Sequence, residues 1–193
     1  MTLVAALLAA GGGTRYLGAT HKLHASLDGR SVLEHSLANI VHAGVGPVIV
    51  VTGAADISAP AGPEWPPVLL LHNPNWAEGQ STSIRVAVRE AERRTADFLL
   101  IGLADQPDIR PDTWRAIADA PPEHLIVVAS YDGHLGPHPV RLHRSLWPML
   151  PTTGDHGART LLRDHAALVH QVDCTGSAAD IDTLEDEQRW KSS

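Results

Sequence analysis

Six short apolar runs alternate along the chain with segments whose apolar residues recur at helical spacing. Most of these runs are mainly apolar at consecutive positions rather than at every second one, which is typical of strands buried on both faces of a parallel sheet. The runs are TLVAALLAA, PVIVVTG, VLLLHNP, DFLLIGLAD, LIVVASYD and LVHQVDC. Strands and helices in alternation predict an α/β fold, in which a doubly wound, mostly parallel sheet lies between two helical layers.

The helical segments carry recognisable end signals. They are SVLEHSLANIVHAG, SIRVAVREAERR, PDTWRAIADA, GARTLLRDHAAL and TLEDEQRW. Ser31 and Ser81 are predicted N-caps, Gly44 is a predicted C-cap, and Pro111 fits a first helical turn, where its missing N–H costs nothing. The stretch DGHLGPHPV, rich in proline and glycine, is instead predicted to be a loop on the substrate side.

Charge and composition exclude several classes of partner and site. The 15 basic and 22 acidic residues leave a net charge of -7, which argues against a nucleic-acid partner or an anionic membrane surface. The apolar N-terminal run lacks a basic leader and is too short to span a bilayer, so we expect a cytoplasmic protein. A single cysteine, Cys174, allows no intramolecular disulfide, and the twelve histidines include no H-E-x-x-H pattern for zinc.

A glycine loop follows the first predicted strand, in the segment LLAAGGGTRYLGATHK. A dinucleotide-binding fingerprint would need a third glycine where Tyr16 stands. A P-loop would need Lys directly after Gly18, before a Ser or Thr, but Ala19 stands in the position of that lysine. The pattern that fits is a glycine turn whose N–H groups face a triphosphate, with Arg15 and Lys22 neutralising its charge. A plain glycine turn with solvated cations is the alternative.

Loops after three strands should meet at one edge of the sheet. They carry GGGTR, HNPNW and ADQPD, and ligands of open α/β sheets lie beyond the carboxyl ends of the strands. Asp105, at the end of such a strand, is a candidate ligand for Mg²⁺. Of the two later aspartates in DIDT, Asp182 is the first choice as a second ligand and Asp180 the second choice.

The ordered motifs AAGGGTR, HNPNWAEGQSTSI, LADQP, GPHPV, GDHGAR and DIDTLED resemble those of the molybdenum cofactor cytidylyltransferases and related MobA-like NTP transferases. The resemblance implies a Rossmann-like, GT-A-like nucleotidyltransferase fold in one domain over residues 1–193. Residues 1–105 would form the nucleotide-binding half and residues 106–193 the acceptor-binding half. The loop between Arg15 and Lys22 is longer than is usual in the family, which leaves the reach of Lys22 open.

The resemblance also assigns roles to individual residues. The catalytic set is Arg15, Lys22 and Asp105, with Mg²⁺ as the cofactor. The nucleotide-binding set is Ala9, Ala10, Gly11, Gly12, Gly13, Thr14, Arg15, Lys22, Asn73, Gly79 and Ser83. The acceptor-binding set is Trp76, His138, Asp155, Gly157 and Arg159.

The implied reaction transfers CMP from CTP to the terminal phosphate of a molybdopterin-type cofactor. An Ala-Ala-Gly start accompanies the cytidylyl type within the resemblance, whereas Ala-Gly-Gly accompanies the guanylyl type. GTP or another nucleotide, another phosphorylated acceptor, and a non-catalytic molybdenum-cofactor carrier remain the alternatives. A molybdenum-dependent apoenzyme that receives the product would be a partner.

Overall fold

The computed structural model describes residues 1–58, 62 and 65–192. The nine strands of this part of the chain are β1 (Leu3–Ala9), β2 (Ser26–Leu27), β3 (Arg30–Ser31), β4 (Val48–Thr52), β5 (Leu69–His72), β6 (Phe98–Leu103), β7 (Ile126–Tyr131), β8 (His134–His143) and β9 (Val169–Cys174). The five α-helices described are α1 (Val32–Ala43), α2 (Gln80–Arg93), α3 (Pro111–Asp119), α4 (Arg159–Asp164) and α5 (Leu184–Lys191).

Seven strands form one sheet in the order β5-β4-β1-β6-β8-β7-β9, while β2 and β3 form a separate short hairpin. All pairings in the large sheet are parallel except those of β8, which runs antiparallel to both β6 and β7. The predicted α/β fold with a doubly wound, mostly parallel sheet is confirmed. Among the described helices, none is long and apolar enough to cross a membrane.

The central strand β1 shows why the strand runs are mainly apolar at consecutive positions. Its residues Leu3, Ala5 and Leu7 pack in the core beneath α1 and α3. The alternate residues Val4, Ala6 and Leu8 pack in the opposite core, beneath α2 and α4. Both faces of the sheet are therefore covered, which gives the predicted three-layer arrangement.

Strand β8 corrects the prediction of a substrate-side loop over DGHLGPHPV. The segment pairs with β7 on one side and, from Val140 onward, with β6 on the other. Its prolines precede the part paired with β6, and the register with β7 shifts between Val128 and Ser130, so the missing proline N–H groups interrupt little of the ladder. Proline and glycine here mark an irregular strand rather than a loop.

Most predicted helix ends are confirmed. Ser31 forms a capping box with Glu34, Gly44 ends α1 in the left-handed conformation at φ 65°, and Pro111 begins α3. The prediction for Ser81 is wrong. Helix α2 begins at Gln80 and its N-cap is Gly79, so Ser81 is the second residue of the helix. Gly79 has φ 107°, and a Cβ there would lie 2.3 Å from the carbonyl carbon of Gly154, so the close approach of two backbones fixes this helix start.

A fully buried arginine fastens β8 to the end of α3. The Arg141 guanidinium donates to four carbonyl groups within and just after the last turn of that helix, at 2.5 to 3.3 Å. It also lies 4.5 Å from the centre of the Phe98 ring. Burial lowers the pKa of Arg141, while the nearby carboxylates of Asp119 and Glu123 act in the opposite direction. The cation thus satisfies the helix C-terminus where water has no access.

Candidate active site

A cavity of about 580 Å³ opens at the carboxyl edge of the sheet. The loops after β1, β5 and β6 all reach it, as predicted from GGGTR, HNPNW and ADQPD. Helix α2 and the start of α4 contribute Gln80 and Arg159 to its wall, and the segment before α5 contributes Asp180 and Asp182. The chain continues from β1 to β4 on one side of it and later to β6 on the other, so the strand order reverses at β1. Ligands of such sheets bind beyond the strand ends at this point.

The glycine loop passes from buried Ala10 across the cavity wall. A Cβ at Gly12 would lie 3.2 Å from the Trp76 ring, and Gly13 adopts φ 60° directly against the ring of His21. Gly13 therefore needs to be glycine, and Gly12 leaves little space for a side chain, which keeps the loop backbone close to the surface of the cavity. The loop is therefore shaped by close packing on two aromatic side chains.

Tyr16 occupies the place where a dinucleotide-binding fingerprint needs glycine. Its hydroxyl donates to Glu187 on α5, and its ring covers Gly18 so closely that a Cβ there would lie 2.2 Å away. Burial and then the Glu187 carboxylate raise the pKa of Tyr16 to about 12. The third-glycine space is therefore filled, in agreement with the prediction that this loop is not a dinucleotide fingerprint.

Four charged side chains meet beside the glycine loop. Lys22 Nζ lies 2.5 Å from Asp105 Oδ2 and 2.7 Å from Asp182 Oδ1, and Arg15 Nη2 lies 2.7 Å from Asp182 Oδ2. Burial alone would lower the pKa of Lys22, but the two carboxylates outweigh it and hold that pKa above its ordinary value. The long loop thus does not prevent Lys22 from reaching the site. Arg15, with 76% of its side chain exposed, remains open to a ligand.

The carboxylates fit a hard divalent cation. Asp105 Oδ1 is buried and has no hydrogen-bond partner among the described residues, while Asp105 and Asp182 already share one ammonium group. In the described part of the chain, no group of three or more His, Cys, Asp or Glu side chains is placed to hold a metal by itself. Mg²⁺ commonly takes one or two carboxylates and completes its shell with waters and substrate phosphates, so this donor set suits it.

Asp180 faces differently from Asp182. Its Oδ1 accepts a hydrogen bond of 2.7 Å from Gln106 Nε2, which also donates to the carbonyl of Ala178. Burial, and then the neighbouring Asp105 carboxylate, raise the pKa of Asp180 to about 6. Both aspartates touch the cavity, but it is Asp182 that shares Lys22 with Asp105.

The predicted nucleotide-binding residues nearly all line the cavity. They are Ala9, Ala10, Gly11, Gly12, Gly13, Thr14, Arg15, Lys22, Gly79 and Ser83. Asn73 lies behind them, where its Nδ2 donates to Ser83 Oγ at 2.9 Å and to Thr82 Oγ1 at 2.8 Å. Asn73 therefore positions the hydroxyl of Ser83 rather than contacting the cavity.

The predicted acceptor residues divide into two groups. Trp76, Asp155 and Arg159 line the cavity, whereas Gly157 and His138 do not. A Cβ at Gly157 would lie 2.2 Å from Gln80 Oε1, so this glycine makes room for a side chain that does line the cavity. Gln80 and His21 were not predicted to be site residues, although both lie within the quoted motifs, because neither carries a fixed charge that a phosphate or a metal would need.

Comparison with known proteins identifies the family. A model of the MobA-like NTP transferase domain matches residues 5–170. The chain belongs to this family. It is accordingly a nucleotidyltransferase enzyme by family and fold.

Two relatives match this chain over different lengths. Nicotine blue oxidoreductase of Paenarthrobacter nicotinovorans is 30% identical over 189 residues, which cover 93% of this chain and 91% of that protein. Purine catabolism protein PucB of Bacillus subtilis is 35% identical over 113 residues, covering 56% and 54% of the two chains.

Solved structures share the fold over nearly the whole length. Rv0371c of Mycobacterium tuberculosis superposes with a TM-score of 0.80 at 26% identity, covering 100% of this chain and 98% of that chain. A nucleotidyl transferase from Methanothermobacter gives a TM-score of 0.79 at 22% identity, covering 99% and 96% of the two chains. This chain therefore shares its fold with both structures along nearly its whole length.

Lys22 carries a prediction about the stability of this MobA-like enzyme. We expect Lys22→Met to lower the free energy of unfolding by about 3 kcal/mol, because Asp105 and Asp182 then face each other without their shared counter-ion. Millimolar Mg²⁺ should restore part of the lost stability in the variant and change the wild type less. Urea denaturation with and without Mg²⁺ measures both effects.

The matched control is Lys191→Met, which removes an exposed lysine paired with Glu187 on the same helix. We expect it to change stability by less than about 1 kcal/mol and to show no added response to Mg²⁺. Equal Mg²⁺ responses in the two variants would contradict the placement of Lys22 between the metal-fitting carboxylates.

His138 carries a prediction about pH. It is buried in β8, its Nδ1 lacks a hydrogen-bond partner among the described residues, and burial lowers its pKa from 6.5 to about 4. Between pH 6.5 and pH 4, His138 is therefore protonated in the unfolded chain and neutral in the folded chain. Stability from this residue is fully present above pH 6.5 and is lost as pH falls toward 4, by about 2 kcal/mol between pH 7.5 and pH 5.

Urea denaturation at both pH values checks this loss. His138→Gln should flatten the pH dependence, whereas His72→Gln, an exposed position on β5, should leave it unchanged. If His138→Gln keeps the wild-type slope, the histidine is not buried in its neutral form.

Proposed function

We propose that this enzyme transfers CMP from CTP to the terminal phosphate of a molybdopterin-type cofactor and releases pyrophosphate. The observation that carries the proposal is the group of Lys22, Arg15, Asp105 and Asp182 directly beside the glycine loop. Two cations and two carboxylates at one end of a cavity suit a triphosphate that is attacked at its α-phosphate with a divalent metal.

Each of these residues has a role in that reaction. The N–H groups of the loop from Gly11 to Thr14 bind the triphosphate, and Arg15 and Lys22 neutralise the charge that grows as pyrophosphate departs. Asp105 and Asp182 would hold Mg²⁺, which would neutralise negative charge on the phosphates when bound. The acceptor phosphate is already anionic, so positioning replaces a strong general base.

The acceptor binds, in this proposal, toward Trp76, Asp155 and Arg159. Arg159 supplies a cation for the acceptor phosphate, and the indole of Trp76 offers an aromatic face to a pterin ring. Residues 1–105 then form the nucleotide half and residues 106–193 the acceptor half. Two residues are exceptions: Trp76 comes from the first half but faces the acceptor, and Asp182 comes from the second half but lies beside Lys22 of the first.

CTP is favoured over GTP by the Ala-Ala-Gly start of the glycine loop, in line with the resemblance, and by the close packing around Ala10. Ala10 is buried, and a Cβ at Gly53 would lie only 2.7 Å from its carbonyl oxygen and 2.8 Å from its Cβ. Backbones packed this closely leave little space to widen the floor for a purine. A synthetase of CMP-2-keto-3-deoxy-manno-octonic acid, solved with CTP, shares the fold with a TM-score of 0.68 at 14% identity.

The remaining features of the proposal follow from charge and location. A net charge of -7 disfavours nucleic-acid and anionic-membrane partners, and the enzyme is proposed to act in the cytoplasm. A molybdenum-dependent apoenzyme would receive the product. A non-catalytic carrier is the weaker alternative, because Arg15, Lys22 and Asp105 are all present.

A redox reaction is the competing function, since the similarity to nicotine blue oxidoreductase extends over 93% of the chain. Tyr16 fills the space that a dinucleotide fingerprint keeps open, which favours nucleotidyl transfer. The two functions separate in one assay. Pyrophosphate release is measured for CTP, GTP, ATP and UTP, each with molybdopterin-type cofactor and with simpler phosphorylated acceptors.

We expect release that depends on Mg²⁺ and on the acceptor, and that is largest with CTP and the molybdopterin-type cofactor. If pyrophosphate is released mainly with another nucleotide or another acceptor, the enzyme is still a nucleotidyltransferase but its substrates differ from those proposed. No release with any pair, together with tight pterin binding, would make the protein a carrier.

A further inference from the structure

We infer that His21 is a positioning residue that ties the glycine loop to the turn carrying Lys22. The inference rests on the proposed function, because it concerns how that site holds its nucleotide. His21 directly precedes a short 3-10 turn, Lys22–His24, and lies beneath the glycine loop. Its ring therefore touches both parts of the phosphate-binding apparatus.

The hydrogen bonds of the ring select one protonation form. The backbone N–H of Leu23 donates to Nδ1 at 3.3 Å, so Nδ1 must be an acceptor. Nε2 lies 3.0 Å from the carbonyl oxygen of Gly11, which can only accept. The neutral ring with its proton on Nε2 satisfies both bonds, while a protonated ring would lose the bond from Leu23.

Packing reinforces these bonds. A Cβ at Gly13, which has φ 60°, would lie 2.9 Å from His21 Nε2, so the loop rests on the ring at Gly13 as well as at Gly11. The next residue after His21 is Lys22, whose ammonium lies between Asp105 and Asp182. A displaced ring would therefore move the loop N–H groups and the Lys22 ammonium relative to each other.

The surroundings keep the ring neutral near pH 7. Burial lowers the pKa of His21, the hydrogen bond with Gly11 opposes this, and the neighbouring His24 and Lys22 side chains lower it further. Asp105 acts weakly in the opposite direction, and the His24 ring lies edge-on at 6.3 Å. The neutral form needed for both hydrogen bonds is thus the form present.

Two substitutions separate the two hydrogen bonds. His21→Asn keeps an acceptor near the place of Nδ1 for the Leu23 N–H, but it is too short to reach Gly11. His21→Gln keeps a donor near the place of Nε2 and loses the acceptor. His24→Asn, at the exposed neighbouring histidine, is the matched control.

The measurement is the dissociation constant of CTP with Mg²⁺, together with kcat and KM for pyrophosphate release. We expect His21→Asn to weaken CTP binding about tenfold, the value of one hydrogen bond to the loop. His21→Gln should weaken it less than about threefold, and His24→Asn should leave it unchanged. Equal affinities in wild type and His21→Asn, or equal losses in the Asn and Gln variants, would overturn the inference.

Nitrogen NMR of the His21 ring in the nucleotide-free protein tests the inference independently of the reaction. We expect a neutral ring with its proton on Nε2 at pH 7. A proton on Nδ1 would overturn the positioning role even if CTP is the substrate. Conversely, the expected ring signal in a protein that releases no pyrophosphate would reject the proposed function and retain the link between the loop and the turn.

Discussion

Asp105→Asn is expected to reduce acceptor-dependent pyrophosphate release about a thousandfold while leaving the fold intact. The substitution preserves size and removes the charge that pairs with Lys22 Nζ and the buried oxygen that fits a cation. The backbone carbonyl of Asp105, which accepts from the N–H of Ile181, is unaffected. Steady-state rates at saturating Mg²⁺ and CTP measure the loss of activity, and urea denaturation shows whether the fold is intact.

Asp108→Asn is the matched control for this variant. Asp108 lies in the same loop but outside the cavity, where its Oδ1 accepts a hydrogen bond of 2.6 Å from Trp190 Nε1. We expect it to retain activity within about threefold, because an amide oxygen can still accept that bond. Comparable activity in Asp105→Asn and Asp108→Asn would remove Asp105 from the catalytic set.

Arg141→Met is expected to lower the free energy of unfolding by about 4 kcal/mol and the melting temperature by roughly 10 °C. The methionine fills much of the same volume, but it leaves the carbonyls at the end of α3 without their donors. The cation over the Phe98 ring is also lost. The midpoint of urea denaturation, at constant m, gives the value directly.

Arg163→Met serves as the control, since this arginine is 74% exposed and pairs with its neighbour Asp164. Its effect on the free energy of unfolding should be far smaller than that of Arg141→Met. A loss of less than about 1 kcal/mol in Arg141→Met would show that the helix C-terminus does not depend on this buried cation.

The fold was predictable from the sequence wherever one strong pattern decided the local structure. Apolar runs buried on both faces gave the strands of the parallel part of the sheet, and Ser31 and Gly44 marked both ends of α1. Strand β8 escaped prediction because its prolines and glycines outweighed its short apolar end. Ser81 failed as a cap because a backbone contact between Gly79 and Gly154, distant in sequence, fixes the helix start.

The candidate site was predictable in its charged and glycine residues and less so in the residues that support them. Lys22 could not be placed by counting, since the length of a loop does not give its path, and the structure brings its ammonium to Asp105. His21 and Gln106 act through hydrogen bonds to backbone or to a carboxylate, which leave no periodic signal in a sequence. His138 matched a motif but lies in the core.

The most direct test of nucleotidyl transfer is to determine which phosphate bond of CTP is broken. CTP labelled at its α-phosphate is incubated with Mg²⁺, the molybdopterin-type cofactor and the enzyme, and the label is followed. Our account predicts that the label appears in the acceptor while one pyrophosphate is released for each transfer. Release of single phosphates with the label retained on a cytidine diphosphate, or turnover that needs no acceptor, would contradict it.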